Sequence, residues 1–245
     1  MKKICNFKNS AYPFNAVLKK DYNEKLFKEV SSKYDLITRV LSFNRDKAWK
    51  RQLIDCLPEG DYADCLDIAC GTGDLSFALA SRFSDAKIYG IDLTPEMIEQ
   101  AKGKNVFGNV KFFIHDMCDL PYDSGSIDLI TGGYALRNAP DLEKALKEFV
   151  RVLKPGGVAG FLDFSKSGSK MVQSINYFLL KSWGGLWGVM LHGNPAVYTY
   201  IAESLWFYPE REKLHGLLLE AGLEVIYKKY FFGGMIEMTL CKKIE

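Results

Sequence analysis

The six cysteines of this 245-residue chain form no C-x-x-C pair, so the spacing that holds structural zinc or a redox dithiol is missing. Most sit inside apolar runs such as Cys65-Leu66-Asp67-Ile68-Ala69-Cys70, where a reduced thiol packs as a small hydrophobe. The expectation is a reducing, cytoplasmic compartment and no metal. An excess of charge is missing too: 32 Lys+Arg against 30 Asp+Glu leave a net of +2. The chain therefore lacks the positive field of a sequence-independent nucleic-acid binder, and nucleic acid is not expected as a partner. No apolar run reaches the ~20 residues of a spanning helix; the nearest, Ile175 to Leu191, carries Asn176, Lys181 and three glycines. The opening residues, with Lys2 and Lys3, are interrupted by Asn6, Lys8, Asn9, Pro13 and Asn15 before any run of secretory-signal length. Internal repeats and low-complexity linkers are absent, and a 48% hydrophobic composition excludes a disordered chain.

What is present is unevenly distributed. Residues 1–51 hold 13 basic and 5 acidic side chains, a net of +8 that leaves −6 for the rest. Residues 1–60 read as a helical segment packed on the core, through Glu24–Val30, Tyr34–Leu41 and a stretch from Asp46 in which Trp49, Leu53 and Leu57 recur every four residues. Asp46 is expected to cap that last helix. From Cys65 the pattern changes to short β-rich runs alternating with helices. The strands are Cys65–Ala69, Lys87–Ile91, Val110–His115, Ile127–Thr131 and Val158–Phe164, with Leu223–Tyr230 and Met235–Cys241 closing the sheet. Between them lie helices at Leu75–Phe83, Pro95–Lys102, Leu142–Leu153 and Glu210–Glu220. This alternation implies an α/β fold, a Rossmann-like, mostly parallel seven-stranded sheet over residues 61–245. Thr94-Pro95 marks one helix start, and Lys154-Pro155-Gly156-Gly157 is expected to end a helix and turn into the next strand. Residues 165–208 interrupt the alternation as a helical insertion rich in Tyr and Trp. Two readings stay open for it, a dimer contact or a lid over an apolar substrate.

The sharpest motif is Leu66-Asp67-Ile68-Ala69-Cys70-Gly71-Thr72-Gly73-Asp74-Leu75-Ser76, a strand running through a glycine turn into a helix. Glycines there let backbone approach a ligand, and the helix start presents free N–H groups. A nicotinamide fingerprint would carry a third glycine where Ser76 stands. Asp67 would repel a pyrophosphate but would accept hydrogen bonds from an ammonium group. The second strand ends in Asp92-Leu93, a carboxylate placed for two ribose hydroxyls. The third ends in His115-Asp116-Met117, a polar group beside an apolar one, suited to the amine and flat face of adenine. Three strand ends in register thus describe S-adenosyl-L-methionine. Each has a plainer reading alone, since Asp92 could cap the next helix and Asp116 could start a loop.

At this point the chain resembles the ubiquinone/menaquinone biosynthesis C-methyltransferases, within the class I S-adenosylmethionine-dependent methyltransferases. The resemblance runs from about Tyr34 to the C-terminus. It rests on Tyr34-Asp35, Leu41-Ser42-Phe43, Trp49-Lys50-Arg51, the glycine motif, Leu136-Arg137-Asn138, Arg151 to Gly157, Tyr198, Tyr200 and Ala202-Glu203-Ser204. It implies the class I methyltransferase fold, cofactor contacts at Thr72, Asp92, Asp116, Met117 and Gly133, and a substrate-side role for Arg137 and Asn138. The chain departs from the family pattern at Thr38, Asn44, Asp46 and Lys47, where Asn, Gly, His and Arg are usual, and at Thr239, where a histidine is usual. These changes cluster where the acceptor would lie.

The combined expectation is a methyltransferase acting on a small apolar aromatic acceptor, a prenylated quinol by resemblance. Its cofactor residues would be Asp67, Gly71, Thr72, Gly73, Asp92, Leu93, Asp116, Met117 and Gly133. Ring carbon beside a phenol is nucleophilic only as the phenolate, so Arg137 is expected to stabilise the oxyanion or to hold a water that takes the proton, and Asn138 to orient it, with Tyr34 and Tyr134 reaching the pocket. The plainer reading of Arg137 is a salt bridge to Asp141 or Glu143. His192 is a candidate base, while His115 and His215 read as structural. Competing functions are methylation of another aromatic at O, N or C, a nicotinamide-dependent enzyme, and a non-methylating protein on the same fold. The basic entry segment and the Trp-rich insertion suggest peripheral contact with an anionic membrane at its inner face, although solvated helix faces explain the same lysines.

Overall fold

The computed structural model describes residues 15–244; Lys2, Lys3, Cys5 and Lys8 lie outside the described residues. Seven strands form one sheet in the order β3-β2-β1-β4-β5-β7-β6. They are β1 (Asp64–Ile68), β2 (Lys87–Asp92), β3 (Val110–Ile114), β4 (Ile127–Gly133), β5 (Leu153–Phe164), β6 (Leu223–Phe231) and β7 (Ile236–Lys243). The first five pair in parallel, and β7 runs antiparallel to both β5 and β6. Chain order reverses between β1 and β4, so the carboxyl ends of those strands flank the crevice where such sheets bind ligands. Register brings Asp67 of β1 level with Gly90 of β2 and Thr131 of β4.

The central strands read as continuous apolar runs because helices cover both faces. Leu66, Ile68, Ile88, Ile91, Leu129 and Ile130 are wholly buried. On the covering helix α6 (Leu142–Val152), Ala145, Leu146, Phe149 and Val152 recur at helical spacing and are also wholly buried. Burying each such large apolar side chain stabilises the fold by about 1.5–3 kcal/mol. Helices α4 (Asp74–Arg82) and α5 (Pro95–Lys104) follow β1 and β2, and α9 (Arg211–Ala221) precedes β6.

A separate layer sits over the carboxyl edge. It is built from α1 (Ala16–Val30), α2 (Tyr34–Leu41), α7 (Lys170–His192) and α8 (Ala196–Phe207), while α3 (Asp46–Asp55) links it to the sheet. Tyr22, Leu26, Val30 and Ile37 from the first two helices pack with Val197, Tyr198 and Tyr200 of α8 in one apolar cluster. Helix α7 approaches α8 closely through Gly184 and Gly188. A Cβ on Gly184 would lie 2.7 Å from the Tyr198 carbonyl oxygen, and one on Gly188 would lie 2.6 Å from that of Asn194.

Two local expectations are corrected. Asp46 does not cap α3, whose N-cap is Arg45 without a side-chain cap bond; its carboxylate is drawn to Lys50 and Tyr134 instead. Lys154–Gly157 is not a turn outside the sheet. It bulges within β5, because Ile127 pairs with Leu153 while Leu129 already pairs with Val158, with Gly156 supplying φ +70°.

Candidate active site

The glycine turn after β1 sets one wall. Ala69, Gly71 and Gly73 take φ of 47°, 54° and 92°, left-handed values that two of the three positions meet with glycine. Helix α4 starts there with Gly73 as N-cap and no side-chain cap, so its first N–H groups face outward. Asp92 accepts hydrogen bonds from the Gly71 and Thr94 amides, both at 2.9 Å, and so ties the turn to the end of β2. A narrow pocket of about 60 Å³ runs along this edge, lined by Gly71, Asp92, Leu93, Asp116, Met117 and Gly133 among others. His115 also lines it, so this histidine belongs to the site wall.

Several of these groups already have protein partners. Asp116 pairs with Lys20 of α1 at 2.7 Å and accepts from the Cys118 amide at 2.9 Å. The Thr72 hydroxyl donates to Asp35 of α2 at 2.7 Å, and Asp35 in turn pairs with Lys104. Asp67 is wholly buried beneath the turn, accepting from the Ser76 hydroxyl at 2.6 Å and the Thr131 hydroxyl at 3.0 Å. Burial pushes its carboxyl up to about 7 against those two hydrogen bonds. Asp67, Thr72 and Gly133 line a small adjoining recess with Tyr34, Lys50 and Asp74.

A second, larger cavity of about 440 Å³ opens between the sheet edge and the helical layer. Its walls are largely apolar, from Leu26, Ile37, Trp49, Phe164, Trp183 and Ile236 among others, and both Arg137 and Asn138 line it. It shares Phe27, Tyr34, Tyr134 and Asn138 with the narrow pocket, so the two meet at those side chains. Tyr34 borders all three spaces.

Arg137 sits in a short 3₁₀ turn after β4, 4% exposed. Its guanidinium donates to the Ser204 hydroxyl and lies over the rings of Phe164 and Tyr200 at 5.1 and 5.5 Å. Its charge is balanced by Asp163 of β5, 3.9 Å from Nε, and not by Asp141 or Glu143. Nε is buried and finds no hydrogen-bond partner among the described residues. Asn138 donates to the Tyr134 carbonyl at 2.9 Å, and its side-chain oxygen lies 2.6 Å from the Tyr200 hydroxyl. That hydroxyl is also 2.8 Å from the Asn23 side-chain oxygen. His192 does not line the cavity; it meets the Tyr198 hydroxyl at 2.9 Å. His215 is bound to Glu237 at 2.7 Å.

Sequence reasoning missed the partners supplied by the helical layer, namely Lys20, Asn23, Asp35 and Tyr200. It also missed Asp46 and Lys50 as a buried pair at 2.8 Å, with Asp74 3.0 Å from the same ammonium. For some of them the signal was available: Asp35, Lys50 and Tyr200 lie among the residues that carry the family resemblance, and Asp46 is one of the departures from it.

A model of the ubiE/COQ5 methyltransferase family matches residues 15–243. The chain belongs to that family. It is 32% identical over 224 residues to a demethylmenaquinone methyltransferase of Staphylococcus epidermidis, covering 91% of this chain and 93% of that one. It is 34% identical over 227 residues to the ubiquinone/menaquinone biosynthesis C-methyltransferase UbiE of Rickettsia bellii, covering 89% and 91%. Among solved structures, a SAM-dependent methyltransferase of Thermotoga maritima superposes with a TM-score of 0.61 at 20% identity, over 89% of this chain and 99% of that one. A phosphoethanolamine N-methyltransferase of Haemonchus contortus in complex with S-adenosyl-L-methionine gives 0.56 at 14% identity, over 77% and 50%. The protein is thus a methyltransferase with the class I fold, and family and fold are those of S-adenosylmethionine-dependent enzymes. Among the described residues, no helix is long and apolar enough to cross a membrane.

Proposed function

We propose that this methyltransferase transfers a methyl group from S-adenosyl-L-methionine to a ring carbon of a quinol-type acceptor. The observation that carries the reading is the junction of the two pockets, where an apolar cavity holding a buried guanidinium with an unpartnered Nε meets the carboxylate-lined sheet edge. The names of the relatives support the quinol class.

The residues of the narrow pocket and of the recess beside it fit the cofactor by the chemistry of their donors and acceptors. The uncapped start of α4 suits its carboxylate, Asp67 its ammonium, Asp92 the ribose hydroxyls, and Asp116 with Met117 the adenine. Leu93 and Gly133 complete the walls, and Gly133 leaves room that a Cβ would use up against Leu75 at 3.1 Å. When bound, the cofactor supplies an electrophilic methyl group, so the chain's main task is alignment and exclusion of water. Tyr34 stands where the pockets meet and would seat the acceptor ring. Arg137, permanently charged and desolvated, would stabilise the phenolate oxygen that makes the neighbouring carbon nucleophilic, and Asn138 would orient it. Most of the remaining cavity wall is hydrocarbon and aromatic, suited to a prenyl chain.

The outward side of α7 supports a peripheral membrane contact, because Met171, Phe178 and Met190 are 63–70% exposed there. A lipid surface is where a prenylated acceptor resides. Flotation with anionic vesicles at low salt should carry the protein upward, whereas a concentration-dependent dimer without flotation would assign that side to a second copy. The activity itself is tested by mass spectrometry after incubation with methyl-labelled cofactor and a panel of aromatic acceptors. Label on the ring carbon of a quinol is expected. Label only on oxygen or nitrogen of other aromatics would replace the acceptor class, and no transfer with cofactor bound would reject the enzyme reading.

A further inference from the structure

The phenolate reading needs a group to receive the phenolic proton, since an unperturbed phenol near pKa 10 is neutral at pH 7. The candidates can be read from the cavity wall. Among the described residues lining it, Asp46 is the one carboxylate and there is no histidine. Three of the neighbouring hydroxyls have their protons committed. Thr38 donates to the Tyr34 carbonyl at 3.0 Å and Ser42 to the Arg39 carbonyl at 3.2 Å. The Tyr200 hydroxyl faces two side-chain oxygens. Asp46, 4% exposed, is held from behind by Lys50 at 2.8 Å and accepts the Tyr134 hydroxyl at 2.8 Å.

Tyr134 is aimed at this carboxylate by an unusual backbone. Its φ of 58° is a left-handed value for a bulky residue, a strained conformation that persists only where surrounding structure demands it. The Tyr134 amide is tied to the Leu162 carbonyl at 2.6 Å, and its ring lies against Phe164 at 5.8 Å. Burial, with the Asp46 charge adding to it, holds the Tyr134 phenol well above its ordinary value. The side chain therefore stays neutral and can only pass a proton on.

We infer that Asp46 and Tyr134 form the proton-accepting relay of the reaction, on the wall of the cavity that also carries Arg137. This rests on the quinol reading above. The acceptor's O–H bond breaks with its electron pair left on oxygen. That proton passes to the Tyr134 oxygen while the Tyr134 proton moves to the Asp46 carboxylate. The ring carbon then bonds to the methyl carbon as the sulfur–methyl bond breaks, that pair staying on sulfur. The methylated ring loses its C–H proton to water, and Asp46 returns its proton to the ring oxygen by the same path, so one proton leaves per turnover.

The test uses the full chain, the variants Asp46→Asn and Tyr134→Phe, and two acceptors: a geranylated 1,4-dihydroxynaphthalene and a ring-fluorinated analogue with a more acidic phenol. With the ordinary acceptor, Asp46→Asn should lower kcat by about 100-fold or more, as expected for loss of a positioned base. KM, cofactor affinity by calorimetry and acceptor binding by tryptophan quenching should stay within threefold. With the fluorinated acceptor the loss should shrink to about tenfold, because a more acidic phenol needs less help. Tyr134→Phe, which leaves the Asp46–Lys50 pair in place, should show the same dependence on acidity and carries the test if Asp46→Asn does not fold. Unchanged kcat, or equal losses with both acceptors, would overturn the relay. A wild-type enzyme that methylates neither acceptor while binding cofactor would instead overturn the quinol reading, and the relay with it.

Discussion

On the sheet side of the site, Asp67, Asp92 and Asp116 stand at or just beyond strand ends, and backbone amides or neighbouring hydroxyls fix their carboxylates. On the other side, Arg137, Asn138 and Tyr134 face a cavity closed by α1, α2, α7 and α8, and their partners come from residues far away in sequence, such as Asn23 and Ser204. The first half follows from one strand–turn–helix unit repeated. The second exists only if four helices meet correctly. Cofactor binding and acceptor turnover should therefore fail separately.

The strongest way to break that separation is at the helix crossing. Gly184→Val would force a side chain into the Tyr198 backbone, an overpacking of the kind that costs about 1–3 kcal/mol or more. The cavity would lose its shape: turnover should fall more than 100-fold and Tm by several degrees, while cofactor affinity measured by calorimetry stays within about threefold. A matching loss of cofactor affinity would show that the two halves fold as one unit. Next in size is Arg137→Met, which keeps bulk between Phe164 and Tyr200 but removes the charge. Loss of one preorganised oxyanion partner costs about 10²–10³ in kcat, and kinetics should show that fall with little change in KM.

The same contrast governs what the residues alone revealed. Leu66 through Ser76 announced β1, its turn and α4 because period-2 and period-3.6 patterns change at the glycines, and the local chemistry of Asp92-Leu93 needed no distant partner to be read. The helical insertion could be recognised from its aromatic density, but not its packing: Gly184 and Gly188 read as interruptions of an apolar run, whereas in the fold they let α8 approach. Arg137 stands out in the sequence, yet its counter-charge is neither of the near neighbours Asp141 and Glu143 but Asp163 on β5. Asp46 shows the limit most clearly. Local rules made it a helix cap, and only the tertiary arrangement brings Lys50 and Tyr134 to it.

A smaller effect probes the sheet side through pH. The Asp67 carboxyl is raised to about 7 by burial, above the ordinary value near 4 of an unfolded chain. Between those values the folded protein holds a proton the unfolded chain has released, so the stability contributed by protonated Asp67 is present below about pH 4 and is lost as pH rises through 7. The slope is at most about 1.4 kcal/mol per pH unit. Unfolding titrations of the cofactor-free protein should show the wild type losing stability relative to Asp67→Asn across that window. Cofactor affinity should change in the opposite sense, rising toward neutral pH as the ionised carboxylate becomes available to an ammonium. Parallel stability curves for the two proteins would remove Asp67 from the pH response.

The smallest expected effect lies where the halves touch. Lys20 reaches from α1 to Asp116 at 2.7 Å, with 40% of its side chain exposed. Exposed pairs of this kind contribute about 0–1 kcal/mol and weaken with salt. Yet Asp116 is the residue proposed for the adenine amine, so the ion pair and the cofactor compete for one carboxylate. Lys20→Ala should therefore leave Tm almost unchanged and improve cofactor affinity by about two- to threefold at low salt, with the advantage fading at high salt. If affinity falls instead, Lys20 supports cofactor binding rather than competing with it, like the α1 residues Asn23, Glu24 and Phe27 that line the same pocket.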